Sequence, residues 1–151
     1  MPKVKLKLKA FRQNIAKVHK QLQKQLRSYN VSKIKGYQRK HLILNYYNGK
    51  KLLAGLYAYQ VLGVFYIDLL WVGEAYRHQG LGSKLLKAAE NCALKNKALY
   101  IRLNTGSFQA PEFYLKNNYE QFAKLPLVTT TKQKHYDYYF VKYLKQNSRE
   151  I

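Results

Sequence analysis

Residues 71–86, with the sequence WVGEAYRHQGLGSKLL, are the most informative stretch of the chain. They read as the end of a strand, a glycine-rich turn and the start of an amphipathic helix. Within them, Arg77, Gly80 and Gly82 form the pattern Arg-x-x-Gly-x-Gly. Such a turn directs several backbone N–H groups, reinforced by the helix dipole, at one point, which suits a pyrophosphate. The hydroxyl of Ser83 would add a donor, and Arg77 would add positive charge.

The spacing excludes two other phosphate-binding loops. A dinucleotide-binding fingerprint requires glycine or alanine at position 85, where this chain has Leu85. A P-loop requires Gly-Lys and then Ser or Thr after four spacer residues, and no such string occurs. The turn is therefore either a different phosphate-binding loop or a purely structural glycine turn.

A second segment, residues 104–122 (NTGSFQAPEFYLKNNYEQF), favours the phosphate-binding interpretation. In it, Ala110 precedes a Phe-Tyr pair at positions 113–114, and a short helix then leads into a strand at Tyr119. Together the two segments closely resemble the acyl-CoA-binding signature of the GNAT N-acetyltransferase superfamily. The resemblance covers nearly the whole chain and is clearest from Gly55 onward. It implies acetyl-CoA as co-substrate and a primary amine, in a small molecule or a peptide, as acceptor.

The hydrophobic pattern predicts the order of the elements. Strands are predicted at residues 3–9, 41–47, 52–60, 64–72, 98–103, 119–124 and 135–144, and helices at 11–29, from the glycine turn to about 96, and at 109–117. Residues 30–40 are a loop or a short second helix, and Asn48-Gly49 is a strong hairpin signal. Early hairpins and a later β-α-β-α-β run indicate an α/β (α+β) mixed sheet. The GNAT resemblance implies a predominantly antiparallel sheet with a central parallel pair, flanked by helices on both faces.

Length and composition predict a single domain over residues 1–151. No apolar run approaches the length of a membrane span, and the N-terminus alternates lysine with apolar residues as a strand does, unlike a signal peptide. Cys92 is the only cysteine, so an intramolecular disulfide is impossible and a reducing cytoplasm is the simplest location. Four scattered histidines without paired cysteines or carboxylates predict no metal site.

The net charge of +21 is the unusual feature of the composition, with 28 Lys and Arg against 7 Asp and Glu. It suggests attraction to nucleic acid, ribosomes or anionic membranes, or else a compositional bias over the whole chain. We favour the bias, because the lysines are dispersed and no sequence-specific nucleic-acid-binding motif is visible. No membrane partner is predicted, and a homodimer is left open. Two alternatives also stay open: a basic RNA- or ribosome-associated module on the same fold, and a CoA-binding protein with little catalysis.

Acetyl transfer requires a proton for the departing thiolate, and Tyr114 is the candidate general acid. The resemblance places a tyrosine at this point next to the CoA sulfur. A phenol with a pKa near ~10 can protonate a thiolate whose conjugate acid has a pKa near ~8.5. The alternative is that Tyr114 is one of fifteen tyrosines that fill a core.

Asp68 is the candidate base for the acceptor amine. The two-residue period of a strand puts Asp68 on one face with Leu70 and Val72, and a carboxylate in an apolar run is costly unless it is paired or used. A structural carboxylate is the alternative, and Glu74 ranks behind Asp68. Cys92 shares a helical face with apolar residues, which predicts a buried role and therefore direct attack of the amine on the thioester.

The resemblance implies that the backbone of residues 70–72 holds the pantetheine arm like an extra strand. The implied cofactor-binding residues are Leu70, Trp71, Val72, Arg77, His78, Gln79, Gly80, Leu81, Gly82, Ser83, Asn104 and Ser107. Three positions depart from the family pattern: Ser107 replaces a common asparagine, and His78 and Asn118 replace common glycines. Asparagine tolerates the left-handed conformation that ends a helix, so we expect the fold to accept Asn118. The acceptor site would be built from the first helix, residues 30–40 and the hairpins, with Tyr57 and Tyr59 as candidate lining residues.

Overall fold

The structure, a computed structural model, describes residues 14–130 and 132–145. The strand predicted at residues 3–9 lies outside these ranges. The chain divides into two compact units, Met1–Gln38 and Arg39–Ile151, and each is described by itself. The single domain over residues 1–151 stays a prediction.

The first unit contains helix α1, Ile15–Lys33. The helix predicted at 11–29 is confirmed over its described part, and it runs four residues further than expected into the segment predicted as a loop or short helix. The N–H of Ile34 donates to the carbonyl of Asn30 (2.9 Å) and completes the last turn.

The described residues of the second unit form six strands and two α-helices. They are β1 Lys40–Asn48, β2 Lys51–Val61, β3 Val64–Val72, α2 Leu81–Lys95, β4 Tyr100–Gly106, α3 Pro111–Lys116, β5 Glu120–Leu127 and β6 His135–Tyr143. Each had been predicted from the sequence, and the largest displacement is in β4, which lies two to three residues later than expected. A 3-10 turn, Glu74–Tyr76, precedes α2. The predicted β1–β2 turn is also confirmed, with Gly49 at φ +57°.

The strands form one sheet with the order β1-β2-β3-β4-β6-β5. The pair β3–β4 is parallel and the other neighbouring pairs are antiparallel, which confirms the predicted mixed sheet. The parallel register covers only Val64, Phe65 and Tyr66 against residues 100–102. Beyond this point β3 and β4 diverge, and their carboxyl-terminal halves border a cleft.

The apolar core lies between the sheet and helices α2 and α3. It includes Ala54, Leu56, Phe65, Ile67, Leu85, Leu86, Ala89, Ala93, Ile101, Leu103, Tyr114, Tyr119 and Phe140. We call the sheet face that carries this core the core face, and the other the far face. The predicted helix on the far face stays a prediction.

Helix α2 buries a face slightly rotated from the predicted one. Leu85, Ala89 and Ala93 are buried as expected, but Ala88 is exposed and Glu90 is buried in addition. Glu90 is tolerated in the core because the ammonium of Lys142 contacts its carboxylate at 2.8 Å. Cys92 is half-buried against the core, in keeping with the predicted packing role.

A β-bulge in β3 changes the direction of the Asp68 side chain. Tyr57 of β2 pairs with Leu69 and Ala58 pairs with Ile67, so Asp68 has no partner in the β2–β3 register. The bulge breaks the two-residue alternation: Ile67 and Leu70 both pack on the core, and Asp68 is exposed. The prediction that Asp68 shares a face with Leu70 and Val72 is therefore wrong, because one extra residue in a strand shifts the alternation of its faces.

Candidate active site

A cavity of about 1030 Å³ occupies the cleft between the diverging strands. It is bounded by the end of β3, the glycine turn, the first turn of α2, the end of β4 and the start of α3. Its lining comprises Ile67, Asp68, Leu69, Leu70, Trp71, Val72, Tyr76, Arg77, His78, Gly80, Leu81, Gly82, Ser83, Asn104, Thr105, Phe108, Gln109, Ala110, Phe113 and Tyr114. The structure thus brings together both predicted catalytic residues and every predicted cofactor-binding residue except Gln79 and Ser107.

The glycine turn presents backbone donors to this cavity. Gly80 has φ +79° and directly precedes α2, a conformation that glycine adopts without a Cβ clash. The first helical hydrogen bond runs from the N–H of Lys84 to the carbonyl of Gly80 (3.0 Å). The N–H groups of Leu81, Gly82 and Ser83 lie before it, so they have no acceptor within the helix. Three donors at the positive end of a 15-residue helix make an anion-binding position.

Two side chains hold the turn in place. Arg77 donates from Nε to the carbonyl of Val72 (3.2 Å), which ties the turn to the end of β3. Gln79 donates from Nε2 to the carbonyl of Ala75 (3.0 Å). Arg77 uses one of its five N–H donors in this bond and keeps its terminal nitrogens for the cavity that it lines. Gln79 stabilises the turn and does not line the cavity.

The edge of β3 forms another part of the cavity wall. Leu70, Trp71 and Val72 pair with β2 on one side, but their other side borders the cleft, since the β3–β4 register ends at Tyr66. An exposed strand edge can pair with an extended ligand that carries amide groups.

Tyr114 lies on α3 and is buried, with its ring against Phe113 (5.1 Å between centroids), Phe140 (5.8 Å) and Tyr119 (5.9 Å). Burial raises the pKa of Tyr114 to about 12, because an apolar environment disfavours the phenolate. The side chain that lines the cavity is therefore a neutral phenol, and burial makes it a weaker acid than an exposed tyrosine.

The end of α3 fixes the position of Tyr114. Asn118 has φ +63°, which confirms the predicted left-handed conformation. The next residue, Tyr119, donates its N–H to the carbonyl of Tyr114 (3.0 Å), as in a Schellman termination. The amide of Asn117 also donates, to the carbonyl of Phe113 (2.8 Å), and so closes the helix end.

Asp68 lies at the mouth of the cavity. Burial raises the pKa of Tyr59 on β2, the positive charge of Arg39 lowers it, and the negative charge of Asp68 raises it. Because Asp68 is exposed, the burial cost that the sequence suggested does not arise, and its candidacy as base depends on its position in the cavity. Glu74 is exposed and is not part of the lining.

Asn104 lines the cavity and joins it to a carboxylate that sequence reasoning missed. Its amide donates to both carboxylate oxygens of Asp137 on β6 (3.2 and 3.0 Å). A hydrogen bond to Asp137 also raises the pKa of Tyr139. Nothing in the sequence indicated this contact, because 33 residues separate Asn104 from Asp137.

Ser107 lies outside the lining, at the start of the loop after β4. Its hydroxyl is 3.2 Å from Nδ1 of His135 and accepts a bond from the N–H of Tyr136 (3.1 Å). Its own N–H donates to the carbonyl of Tyr136 (2.7 Å). Ser107 therefore ties this loop to the start of β6.

Several lining residues were not predicted, among them Leu69, Phe108 and Gln109. Phe108 and Gln109 lie within the second quoted segment. The spacing of residues in that segment does not show which side chains are exposed and which are buried. The two candidate acceptor-site tyrosines do not line the cavity: Tyr57 bonds through its hydroxyl to Nδ1 of His41 (2.8 Å), and Tyr59 stacks on Tyr66 at 4.9 Å.

In the described residues, no group of three or more His, Cys, Asp or Glu is arranged to hold a metal ion. Over the same ranges, the structure has no helix with the length and apolar character needed to span a membrane.

Comparison with known proteins identifies the family of the chain. Residues 36–121 match the acetyltransferase (GNAT) domain family. The blasticidin-S acetyltransferase of Streptomyces morookaense is 35% identical over 77 residues, which are 50% of this chain and 57% of that protein. The chain thus matches only a little more than half the length of this curated relative.

Solved structures share the fold. An acetyltransferase from Bacillus cereus ATCC 14579 superposes with a TM-score of 0.73 at 28% identity, over 93% of this chain and 98% of that one. The PaiA N-acetyltransferase of Thermoplasma acidophilum, solved in complex with coenzyme A, has a TM-score of 0.57 at 21% identity, over 83% of this chain and 70% of that one. The fold is therefore that of the GNAT acetyltransferases. The chain belongs to the GNAT acetyltransferase family.

Proposed function

We propose that this protein transfers the acetyl group of acetyl-CoA to a primary amine by direct attack, with no covalent enzyme intermediate. The observation that carries the proposal is one cavity that contains both the three backbone donors at the start of α2 and the neutral phenol of Tyr114. The first feature suits a pyrophosphate and the second suits a departing thiolate, and acetyl-CoA carries both groups.

The residues present fit acetyl-CoA as a substrate. The N–H groups of residues 81–83 and the guanidinium of Arg77 would contact the pyrophosphate. The bare edge of β3 at residues 70–72 would pair with the amide groups of the pantetheine arm, and Asn104 faces it from β4. The Ser107 side chain is already bonded to His135 and Tyr136, so we assign it no contact with the substrate.

The reaction moves two protons, and this chain has one candidate group for each. As the amine nitrogen bonds to the acetyl carbon and the carbon–sulfur bond breaks, the nitrogen gives up one proton and the sulfur gains one. Asp68, directly or through a water, would accept the first, and the Tyr114 phenol would donate the second and recover it from solvent. Cys92 is not part of the lining and has no role in this scheme.

The acceptor is proposed to be a small molecule or peptide with a primary amine. The likeness to a blasticidin-S acetyltransferase supports a small-molecule acceptor. A reducing, cytoplasmic location is part of the proposal and depends on the single cysteine.

The test combines binding with turnover. Trp71 is the only tryptophan and it lines the cavity, so its fluorescence should change on titration with acetyl-CoA, and calorimetry should give the same dissociation constant. A panel of amines, amino acids, aminoglycosides and peptides should then be screened for release of the CoA thiol. A protein that shows neither acetyl-CoA binding nor thiol release would refute the proposal, and binding without release would identify a CoA-binding protein.

A further inference from the structure

Three large apolar side chains are exposed around the mouth of the cavity. Leu69 is 63% exposed, Trp71 49% and Phe108 65%, and all three line the cavity. Scattered exposed apolar residues are ordinary on a protein surface, but a group of them around a concave site marks a binding surface. We call these three residues the apolar rim.

Two members of the rim lie on the β3 side of the cleft and on the far face. Leu69 pairs with Tyr57, and Trp71 pairs with Gly55. These β2 residues alternate with Ala54, Leu56 and Ala58, which are buried in the core. Leu69 and Trp71 therefore project away from α2.

The third member lies across the cleft, after β4. A Cβ atom on Gly106 would lie 2.7 Å from Cε1 of Phe108, so the ring occupies the space that a side chain at position 106 would need. Gly106 alternates with the buried Leu103 and Thr105, which directs this position to the far face. Phe108 is also edge-on to His135, with 5.5 Å between ring centroids, and the Ser107 bonds hold its loop.

The rim and the glycine turn therefore belong to opposite faces of the sheet. The turn leads into α2, which packs on the core face, and the rim projects from the far face. Apart from Asn104 on β4, the polar groups proposed to contact acetyl-CoA are on the turn and the β3 edge. The apolar rim is thus available to the other substrate, at the point where Asp68 is also exposed.

We propose that the apolar rim binds the acceptor, and that the acceptor is an amine with an aromatic or bulky apolar group close to its nitrogen. The inference rests on the proposed acetyl transfer. It assigns Leu69 and Phe108 as specificity-determining residues, which bury the apolar group while the amine reaches the thioester. A polar or very small amine would leave the rim exposed and would gain no binding free energy from contact with it.

The experiment compares 2-phenylethylamine with ethylamine as acceptors, with acetyl-CoA as donor and thiol release as the measurement. We expect kcat/KM to be at least about 30-fold higher for 2-phenylethylamine. Phe108→Ala and Leu69→Ala should each reduce kcat/KM for 2-phenylethylamine by about tenfold more than they reduce kcat/KM for ethylamine. Phe122→Ala and Leu94→Ala are matched controls, because both residues are exposed and lie outside the lining.

The outcomes separate this inference from the proposed function. Equal kcat/KM values for the two amines, or a preference that survives both rim variants, would overturn the inference and leave acetyl transfer intact. Faster transfer from hexanoyl-CoA than from acetyl-CoA that depends on Phe108 would also overturn it, since the rim would then bind the acyl chain. Calorimetry of each amine with the CoA-saturated protein gives the same comparison without turnover. Failure of acetyl-CoA to bind at all would overturn both proposals.

Discussion

The two walls of the cavity are built in different ways. The β3–α2 turn, residues 77–83, contributes mainly backbone N–H groups from one continuous stretch. The β4–α3 segment, residues 104–114, contributes side chains whose positions depend on β6 and on the core. We therefore expect substitutions in the turn to act mainly through backbone conformation, and most of its side chains to be replaceable. In the β4–α3 segment, by contrast, we expect the identity of the side chains to matter most.

The largest effect is expected for Gly80→Val in the turn. Gly80 has φ +79° and open space around its Cβ position, so the substitution is unfavourable through the backbone alone. We expect acetyl-CoA affinity to fall roughly a thousandfold, or about 4 kcal/mol, measured by calorimetry. Gly49→Val is the matched control: it has φ +57°, equally open surroundings and a place in the β1–β2 hairpin. Both variants should lose stability, and equal affinity losses in the two would contradict the special role of the turn.

The second prediction concerns the β4–α3 wall. Tyr114→Phe keeps the ring and its packing, and removes only the hydroxyl that we propose as the proton donor to the thiolate. We expect kcat to fall about a hundredfold, or roughly 3 kcal/mol of barrier, with acetyl-CoA affinity nearly unchanged. Steady-state kinetics with an accepted amine measure both quantities.

Tyr119→Phe provides the comparison for that result. Tyr119 is buried against Tyr114, and burial and the Glu90 carboxylate raise its pKa, but it does not line the cavity. Its substitution should leave kcat within about twofold, since the chemistry does not use its proton. Wild-type turnover in Tyr114→Phe would reduce Tyr114 to a packing residue.

A third, smaller effect should appear in stability at high pH. Burial raises the pKa of Tyr114 from its ordinary value near 10 to about 12. Between these values the native state holds a proton that the unfolded state has lost, so Tyr114 makes stability fall as pH rises, by about 1.4 kcal/mol per pH unit. Urea unfolding from pH 9 to 11.5 should show a shallower decline in Tyr114→Phe. The exposed Tyr143 supplies the control, and Tyr143→Phe should follow the wild type.

The smallest expected effect is a change in stability caused by a substitution in the turn. His78 has φ +60° where the family commonly has glycine, so its Cβ carries a steric cost. His78→Gly should stabilise the protein by about 1 kcal/mol in thermal or urea unfolding, with little change in acetyl-CoA affinity. Leu62→Gly, at φ +50° in the β2–β3 turn and outside the cavity, should give a similar gain. A large loss of affinity in His78→Gly would mean that the imidazole itself contacts the substrate.

Much of this architecture could be predicted from residue order. Strand alternation, the helical period of α2 and the turn at Gly49 are local properties, and the predicted elements matched β1 to β6 within a few residues. The turn at residues 77–83 is also local, since seven consecutive residues contain its donors. Asn118 was predicted to adopt its left-handed conformation for the same reason.

The features that the sequence predicted wrongly, or did not predict, depend on contacts between distant parts of the chain. The bulge at Asp68 reflects the match between β2 and β3, and a strand pattern read alone assumes unbroken alternation. The Asn104–Asp137 contact crosses from β4 to β6, and the Phe108 ring occupies the space that a side chain at position 106 would need. None of these leaves a periodic signal in the sequence.

Residue order alone was enough to predict the order of the elements, the glycine turn and the family, because each is encoded in short continuous runs. Only the tertiary structure decided that β3 and β4 separate after three paired residues, that Tyr114 is buried as a neutral phenol, and that an apolar rim surrounds the cleft. The physical reason is that divergence, desolvation and exposure are properties of what surrounds a residue, and those surroundings exist only once the strands have paired.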